Sequence, residues 1–322
     1  MLTRRSALAT LAGLVAARTA RAQSFPSRSV SIVVPYPAGG PVDAVARLIA
    51  QSASGGLGQS IVVDNRGGGS GIIGSAAVAR AEPDGHTLVL GTNQTHATNQ
   101  SLIKNCPYDA VKDFTPVAGI ADIPHALVVR RGLEAGSVGA LVELAKKSPG
   151  ALTYGSTGNG SASHLAAELF KLKASVDLLH VPFRGAAPMT TELLAGRIDV
   201  TFVTLPSVIS YLDAGVLHAL AVASSKRTPR LPNVPTLAEQ GIAGVEADAW
   251  FALFAPARTP DTIRDRLYNS VSTALTSEAA SKAIAAQGMT LALRSPTEVA
   301  AWLPGEVTKW AAVIKAAGVV VE

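Results

Sequence analysis

The chain has 322 residues, 48% of them hydrophobic and 16% charged, with a single cysteine, Cys106. This is enough apolar material for one large or two ordinary domains. It excludes a disordered chain, and the lone cysteine excludes a disulfide framework or a multi-cysteine metal site. The formal charge of +5 invites a nucleic-acid reading, but the first 22 residues hold four of the 28 Lys and Arg and no acid. The remainder carries 24 basic against 23 acidic residues with no basic block, so no electrostatic nucleic-acid footprint is expected.

The chain opens with Arg4 and Arg5, an apolar run from Ala7 to Ala17, and Ala20-Arg21-Ala22. This pattern predicts a secretory signal peptide over 1–22, cleaved near Ala22. The apolar run is about 11 residues, against roughly 20 for a membrane span. Thr3-Arg4-Arg5 followed by Ser6-Ala7-Leu8 fits a general or an imperfect twin-arginine export signal, and both routes stay open. A periplasmic location follows.

Short apolar strands then alternate with Ala-rich helices. Strands are predicted at Val30–Val34, Ile61–Val63 and Thr87–Leu90, and helices at Pro41–Ser54 and Ile72–Ala81. Pro41 near a first helical position and Asp43 in the first turn mark the first helix start. After a break at Asp122–Pro124 the pattern restarts. Strands are expected at Ala126–Val129, Leu152–Tyr154, Leu178–Val181, Ile198–Val203 and Leu217–Ala223. Helices are expected at Val138–Lys147, Ser163–Leu172 and Pro188–Ala195. Segment 225–246, with five prolines and glycines, reads as an irregular connection. A strand at Trp250–Ala255 precedes helices at 261–275, 277–287 and 297–317, the last expected to break or kink at Pro304-Gly305. Continuous apolar strands alternating with helices predict α/β modules with mainly parallel sheets flanked by helices. The expected division is domain 1 over 23–122 plus 247–322 and domain 2 over 123–224, with 225–246 unassigned. Two crossings between domains make a hinge and a cleft.

Three strand-to-helix loops are candidates for ligand contact, because ligands of open α/β sheets sit at the carboxyl ends of strands. The first runs Tyr36-Pro37-Ala38-Gly39-Gly40 into the helix bearing Asp43. Helix N-termini favour anions, although a plain tight turn fits equally well. The second, Ser156-Thr157-Gly158-Asn159-Gly160-Ser161 with His164, is dense in neutral donors. The third carries Asn93, Thr95 and His96. None of the three contains Lys or Arg, which predicts an anion bound without a salt-bridge cage. Arg184, after a strand, is either a cleft residue pairing with the anion or a solvated one.

Gly69-Ser70-Gly71-Ile72-Ile73-Gly74 matches a dinucleotide fingerprint, but the required acid after the next strand is replaced by Gly91-Thr92. No nicotinamide or other cofactor is expected. Ser156 has Tyr154, not glycine, two places before it, so the nucleophile-elbow pattern fails. The six histidines show no metal-ligand spacing, so no metal is expected. Cys106, before Pro107, reads as structural.

Taken together, Ile32–Gly40 with Asp43, Val62–Arg66, Pro83–Leu88, Pro107-Tyr108-Asp109, Tyr154–Gly160, His180–Gly185, Leu231–Thr236 and Trp250-Phe251 resemble one family over essentially the whole mature chain. It is similar to the receptors of tripartite tricarboxylate transporters, the Bug receptors. The resemblance implies a two-domain periplasmic-binding-protein (Venus flytrap, type II) fold without enzymatic activity. It implies a monomer that takes a small carboxylate, often a dicarboxylate, and delivers it to membrane subunits. The implied ligand contacts fall on Tyr36–Gly40 with Asp43, on Asn93–His96, and on Ser156–Ser161 with His164. Where the family often has an Asp-Asn pair, this chain has Val203-Thr204, which removes polar groups from the cleft edge and leaves Thr204 as the candidate contact there. Two alternatives stand beside the receptor: an exported α/β enzyme acting on a small acid, and a ligand sensor for a signalling system.

Overall fold

The computed structural model describes residues 25–320. The expected signal over 1–22 lies outside the described residues. Strand β1 (Val30–Val34) is almost wholly buried and runs into α1 (Pro41–Leu57). Helix α1 buries Val42, Val45, Ala46, Ile49, Ala53 and Leu57, a single stripe at helical spacing. It stops at Gly58, whose left-handed φ of 75° lets its N–H reach the carbonyls of Ser54 and Gly55. Strand β2 (Ile61–Asn65), α2 (Ile72–Ala79) and β3 (Thr87–Thr92) follow as expected. A π-helical turn, Gln94–Thr98, then leads into α3 (Asn99–Leu102) and a ten-residue strand, β4 (Phe114–Ile123). Neither the turn nor β4 is visible in the sequence pattern, because Pro116 and Gly119 dilute the strand signal.

The second layer contains β5 (His125–Val129), α4 (Val138–Lys147), β6 (Thr153–Ser156) and α5 (Ala162–Ala174). It continues with β7 (Leu179–Pro182), α6 (Ala186–Leu194), β8 (Val200–Thr204), the short α7 (Ile209–Asp213) and β9 (His218–Val222). The chain ends with β10 (Ala249–Pro256), α8 (Asp261–Leu275), α9 (Glu278–Ala286), β11 (Thr290–Arg294) and α10 (Pro296–Ala317).

Two sheets result, with strand orders β11-β4-β10-β3-β1-β2 and β7-β6-β8-β5-β9. Pairing is parallel for β1 with β2 and β3, and for β6 with β7 and β8. It is antiparallel wherever β10, β11 or β5 takes part. The sheets are therefore mixed: most strands share a direction, and the strands that cross or return to a layer run against it.

The crossings lie side by side. The chain leaves the first sheet between Ile123 and His125. The N–H of Ala223 donates to the carbonyl of His125 at 2.8 Å, and that of Ala247 to Ala223 at 2.7 Å. Segment 225–246 lies against the edge of the second sheet. The Val222 N–H donates to Pro235 at 2.8 Å, Leu237 donates back to Val222 at 3.0 Å, and Leu237 and Val245 are buried.

Helix α10 is not broken at Pro304, which corrects the expected break: it continues from Pro296 to Ala317 with the proline inside it. A proline inside a helix costs ~3 kcal/mol. Val299, Leu303, Trp310, Val313 and Ile314 are buried on both sides of it, each worth about 1.5–3 kcal/mol. Packing therefore outweighs the lost hydrogen bond. The helix rests on β4 and the 94–98 turn of the first layer and on α5 of the second.

Candidate functional site

The β1–α1 loop is held from behind by Asp43. Its carboxylate accepts from Arg47 Nε and the Gly39 N–H, both at 2.9 Å, and from Asn65 Nδ2 at 3.0 Å. The Arg47 hydrogen bond, with those from Gly39 and Asn65, holds its pKa down at about 2. Its oxygens face the protein and are already occupied, so Asp43 shapes the loop from beneath. Pro37, Ala38 and Gly39 are exposed at the loop tip and Gly40 is half-buried. Tyr36 turns inward and donates its hydroxyl hydrogen to Gln94 Oε1 at 3.0 Å, which leaves the Thr92 hydroxyl, 2.9 Å away, to donate to Tyr36. Burial pushes the Tyr36 hydroxyl up to about 12. With Oε1 engaged, Gln94 keeps its Nε2 amino group as a donor.

In the turn after β3, Thr95 and His96 face the core. Thr95 Oγ1 accepts from the Thr92 N–H at 2.9 Å and lies 2.9 Å from His96 Nδ1. The His96 ring stacks on Phe254 with centroids 4.1 Å apart, and complete burial lowers its pKa to about 3. It is a neutral packing group. A Cβ at Gly91 would stand 2.4 Å from His96 Nδ1, so glycine there is what admits the ring. Asn93 is 4% exposed, and its Nδ2 has no hydrogen-bond partner among the described residues.

The β6–α5 loop rests on a stacked aromatic column. His180 lies 3.9 Å from His164 and 4.7 Å from Tyr154, centroid to centroid. Ser156 Oγ is 2.7 Å from His180 Nε2 and accepts from the Gly158 N–H at 3.2 Å. His164 Nδ1 accepts from the Gly160 N–H at 3.0 Å. Desolvation, then the neighbouring His164, lowers His180 to about 4. The Ser156–His180 contact has the length of a nucleophile–base pair, but Ser156 is 0% exposed and no substrate carbonyl can reach its oxygen. Ser156 and His164 brace the loop from below. Gly158 is half-buried, Asn159 exposed and Gly160 buried. Arg184 is exposed on the loop after β7, with no ion pair among the described residues.

A cavity of about 320 Å³ lies where both layers meet the hinge strands. The first layer contributes Tyr36, Pro41, Val42, Thr92, Asn93 and Gln94. The second contributes Thr157, Ser161, Ala162, Thr204 and Pro206, and the hinge strands contribute Ile123, Ala249 and Phe251. Of the residues singled out in the sequence, Tyr36, Asn93, Thr157, Ser161 and Thr204 meet here. Gln94 falls within the expected Asn93–His96 stretch and Pro41 and Thr92 border the expected loops, whereas sequence reasoning missed Val42, Ala162, Pro206, Ile123, Ala249 and Phe251. Phe251 had a usable signal, since it begins an apolar strand directly after the irregular 225–246 connection.

The N-terminal turns of α1 and α5 both open onto this cavity. The first-turn N–H groups of a helix lack intrahelical partners and carry about half a positive charge. Ser161 caps α5, accepting from the His164 N–H at 3.3 Å. Among the described residues, no charged side chain lines the cavity. A larger groove of about 740 Å³ between α1 and α8, bordered by Ser52, Arg266 and Thr273, belongs to one layer only and touches none of the three loops. The glycines at 69–74 serve packing. A Cβ at Gly71 would meet Thr95 at 2.5 Å, and one at Gly74 the Arg66 carbonyl at 2.8 Å.

The sequence profile of the tripartite tricarboxylate transporter family receptor matches residues 45–319. The chain belongs to this receptor family. Protein BugT of Bordetella pertussis is 35% identical over 298 residues, covering 92% of this chain and 91% of that one. Among solved structures, Rpa4515 of R. palustris with adipate has a TM-score of 0.79 at 39% identity, over 92% of this chain and 100% of the other. MatC of Rhodopseudomonas palustris with bound malate has a TM-score of 0.76 at 33% identity, over 90% and 100%. In this member of the family, two mixed sheets flank the cavity and each contributes a helix N-terminus to it.

Proposed function

We propose that this chain is a periplasmic solute-binding receptor. It captures a small carboxylate, dicarboxylate in type, by closing two domains upon it, and it delivers the anion to the membrane subunits of a tripartite transporter. The carrying observation is the convergence of the α1 and α5 N-termini, one from each layer, on a cavity that supplies neutral donors and no cation. Such a site holds an anion through backbone N–H groups, the Asn93 and Gln94 amides and the Thr157, Ser161 and Thr204 hydroxyls. The adipate of one family member and the malate of another are of this chemical kind.

The proposed domains are 23–122 with 247–322, and 123–224 with 225–246 lying against it. The adjacent crossings near 123–125, 223 and 247 form the hinge, and a ligand that touches both domains stabilises the closed state. The receptor works as an exported monomer without catalysis. No helix among the described residues is long and apolar enough to cross a membrane. A thermal-shift series with mono- and dicarboxylates tests the reading. At 100 times its dissociation constant a true ligand stabilises the fold by roughly 2.7 kcal/mol, and small-angle scattering then records a smaller radius of gyration. Absence of any stabilisation across the carboxylate series overturns it.

A further inference from the structure

The cavity has two unlike walls. One is polar: Tyr36, Asn93, Gln94, Thr157, Ser161 and Thr204, beside the two helix N-termini, with Thr92 at its border with the other. The other is a shelf laid down by the hinge strands. Ala249 stands directly across from Ile123, and Phe251 across from Thr92, in the antiparallel ladders of β10 with β4 and β3. Residues two apart on a strand point to one side, so Ala249 and Phe251 share a sheet face with Ile123. All three are buried, at 7%, 5% and 4% exposure, and all three line the cavity. Val42 of α1 extends the same apolar surface.

A hydrocarbon chain laid on this shelf leaves water and gains burial for each methylene. A hydroxyl in the same place is stripped of water and meets mainly carbon, because the Thr92 hydroxyl across from Phe251 is already engaged with Tyr36 and the Thr95 N–H, and the Tyr36 hydroxyl donates to Gln94. Buried polar groups without a partner are costly, and a site built of carbon and a site built of acceptors therefore differ in what they reject. The cavity is near the small end of ligand sites, which run from about 300 to 1,000 Å³, so a chain of a few carbons fits and a bulky ring system does not.

We propose that the Ile123–Ala249–Phe251 shelf makes this receptor selective for carboxylates with an unsubstituted aliphatic chain, and that it discriminates against hydroxy acids of the same length. This selectivity rests on the carboxylate-receptor reading above. The polar wall fixes the carboxylate, and the shelf reads the carbons beyond it.

Isothermal titration of the mature protein with matched pairs tests it: succinate against malate, and glutarate against 2-hydroxyglutarate. The unsubstituted acid is expected to bind at least tenfold more tightly in each pair. Ile123→Thr and Ala249→Ser place a hydroxyl on the shelf with little change of volume. Each is expected to lower the preference at least threefold, with folding checked by circular dichroism. The wild-type ratio decides the matter even where a variant does not fold. A hydroxy acid that binds as tightly as its partner overturns the selectivity and leaves the receptor reading standing. An unchanged ratio in a folded variant removes the shelf as its cause. Failure of all four acids to bind overturns the selectivity, and absence of stabilisation across the wider carboxylate series overturns the receptor reading.

Discussion

Asp43 shows how a conspicuous residue can serve a binding loop without facing a ligand. Its position in the first turn of α1 is favourable for a carboxylate in any helix. In the fold it also ties Gly39, Arg47 and Asn65 together, so the loop that carries Tyr36 to the cavity keeps its shape. Its charge is consumed there, which removes the conflict between a carboxylate and an anionic ligand. Asp43→Asn is expected to destabilise the protein by about 1–2 kcal/mol, the worth of charge-assisted hydrogen bonds. The value stays low because Arg47 is largely solvent-exposed. The folded pKa of about 2 lies below the ordinary carboxylate value. The stabilisation is thus complete above about pH 4 and is lost as pH falls through 2. Guanidinium denaturation of both forms at pH 7 and pH 2.5 checks this: the gap between them should shrink at the lower pH.

At the scale of elements, α10 presents a conflict between local propensity and packing. Pro304 removes one backbone donor in mid-helix, yet the helix continues because its apolar face is buried before and after that point. Glu306 adds to the anchoring, accepting from Trp250 Nε1 at 3.0 Å and Trp310 Nε1 at 3.2 Å. Pro304→Ala restores the missing donor and is expected to raise stability by about 1–3 kcal/mol. An unchanged or lower midpoint in urea would show that the helix bends at Pro304 to fit β4 and α5. The two loops over the cavity follow a related logic. Each is supported from below by buried side chains, Asp43 in one case and the Ser156–His180–His164 column in the other. The residues at the rim are small and neutral.

At the scale of the whole molecule, several charged groups gather where the chain crosses between the two layers. Asp122 is paired with Arg294 through two hydrogen bonds of 3.0 and 2.6 Å. Asp248, beside the returning strand, accepts from Ser224 and is pushed up to about 7, chiefly by desolvation and secondarily by the Asp122 charge. A raised carboxylate pKa means stability that is present below about pH 4 and lost as pH rises to 7. The buried His96 and His125 and the half-buried His180 act oppositely. His96, His125 and His180, lowered to about 3, 4 and 4, cost stability as pH falls from 6.5 toward 4. The wild-type profile mixes both trends, so the informative quantity is a difference. Asp248→Asn is expected to gain on the wild type as pH rises from 4 to 7 and to level off above 7, by at most about 4 kcal/mol. Thermal melts of both proteins at pH 4.5, 6 and 8 measure it, and a constant difference would remove Asp248 as a titrating group of the hinge.

The order of strands and helices, the two-layer organisation and the three loops were legible because they rest on local signals: apolar runs, Gly and Pro punctuation, and helix-start residues. The family was legible because many weak motifs fell in one order along the chain. Strands β4 and β11 were not, since an internal proline and glycine in one and the brevity of a half-buried five-residue run in the other give no local pattern. The inward turn of Thr95, His96, Ser156 and His164 was equally hidden, because a polar residue in a loop reads the same whether it faces ligand or core. Only the tertiary structure decided which side chains line the cavity. The hinge residues Ile123, Ala249 and Phe251 are apolar and look like core in sequence. Their meeting depends on antiparallel pairing between strands more than a hundred residues apart, a long-range contact that no local pattern encodes.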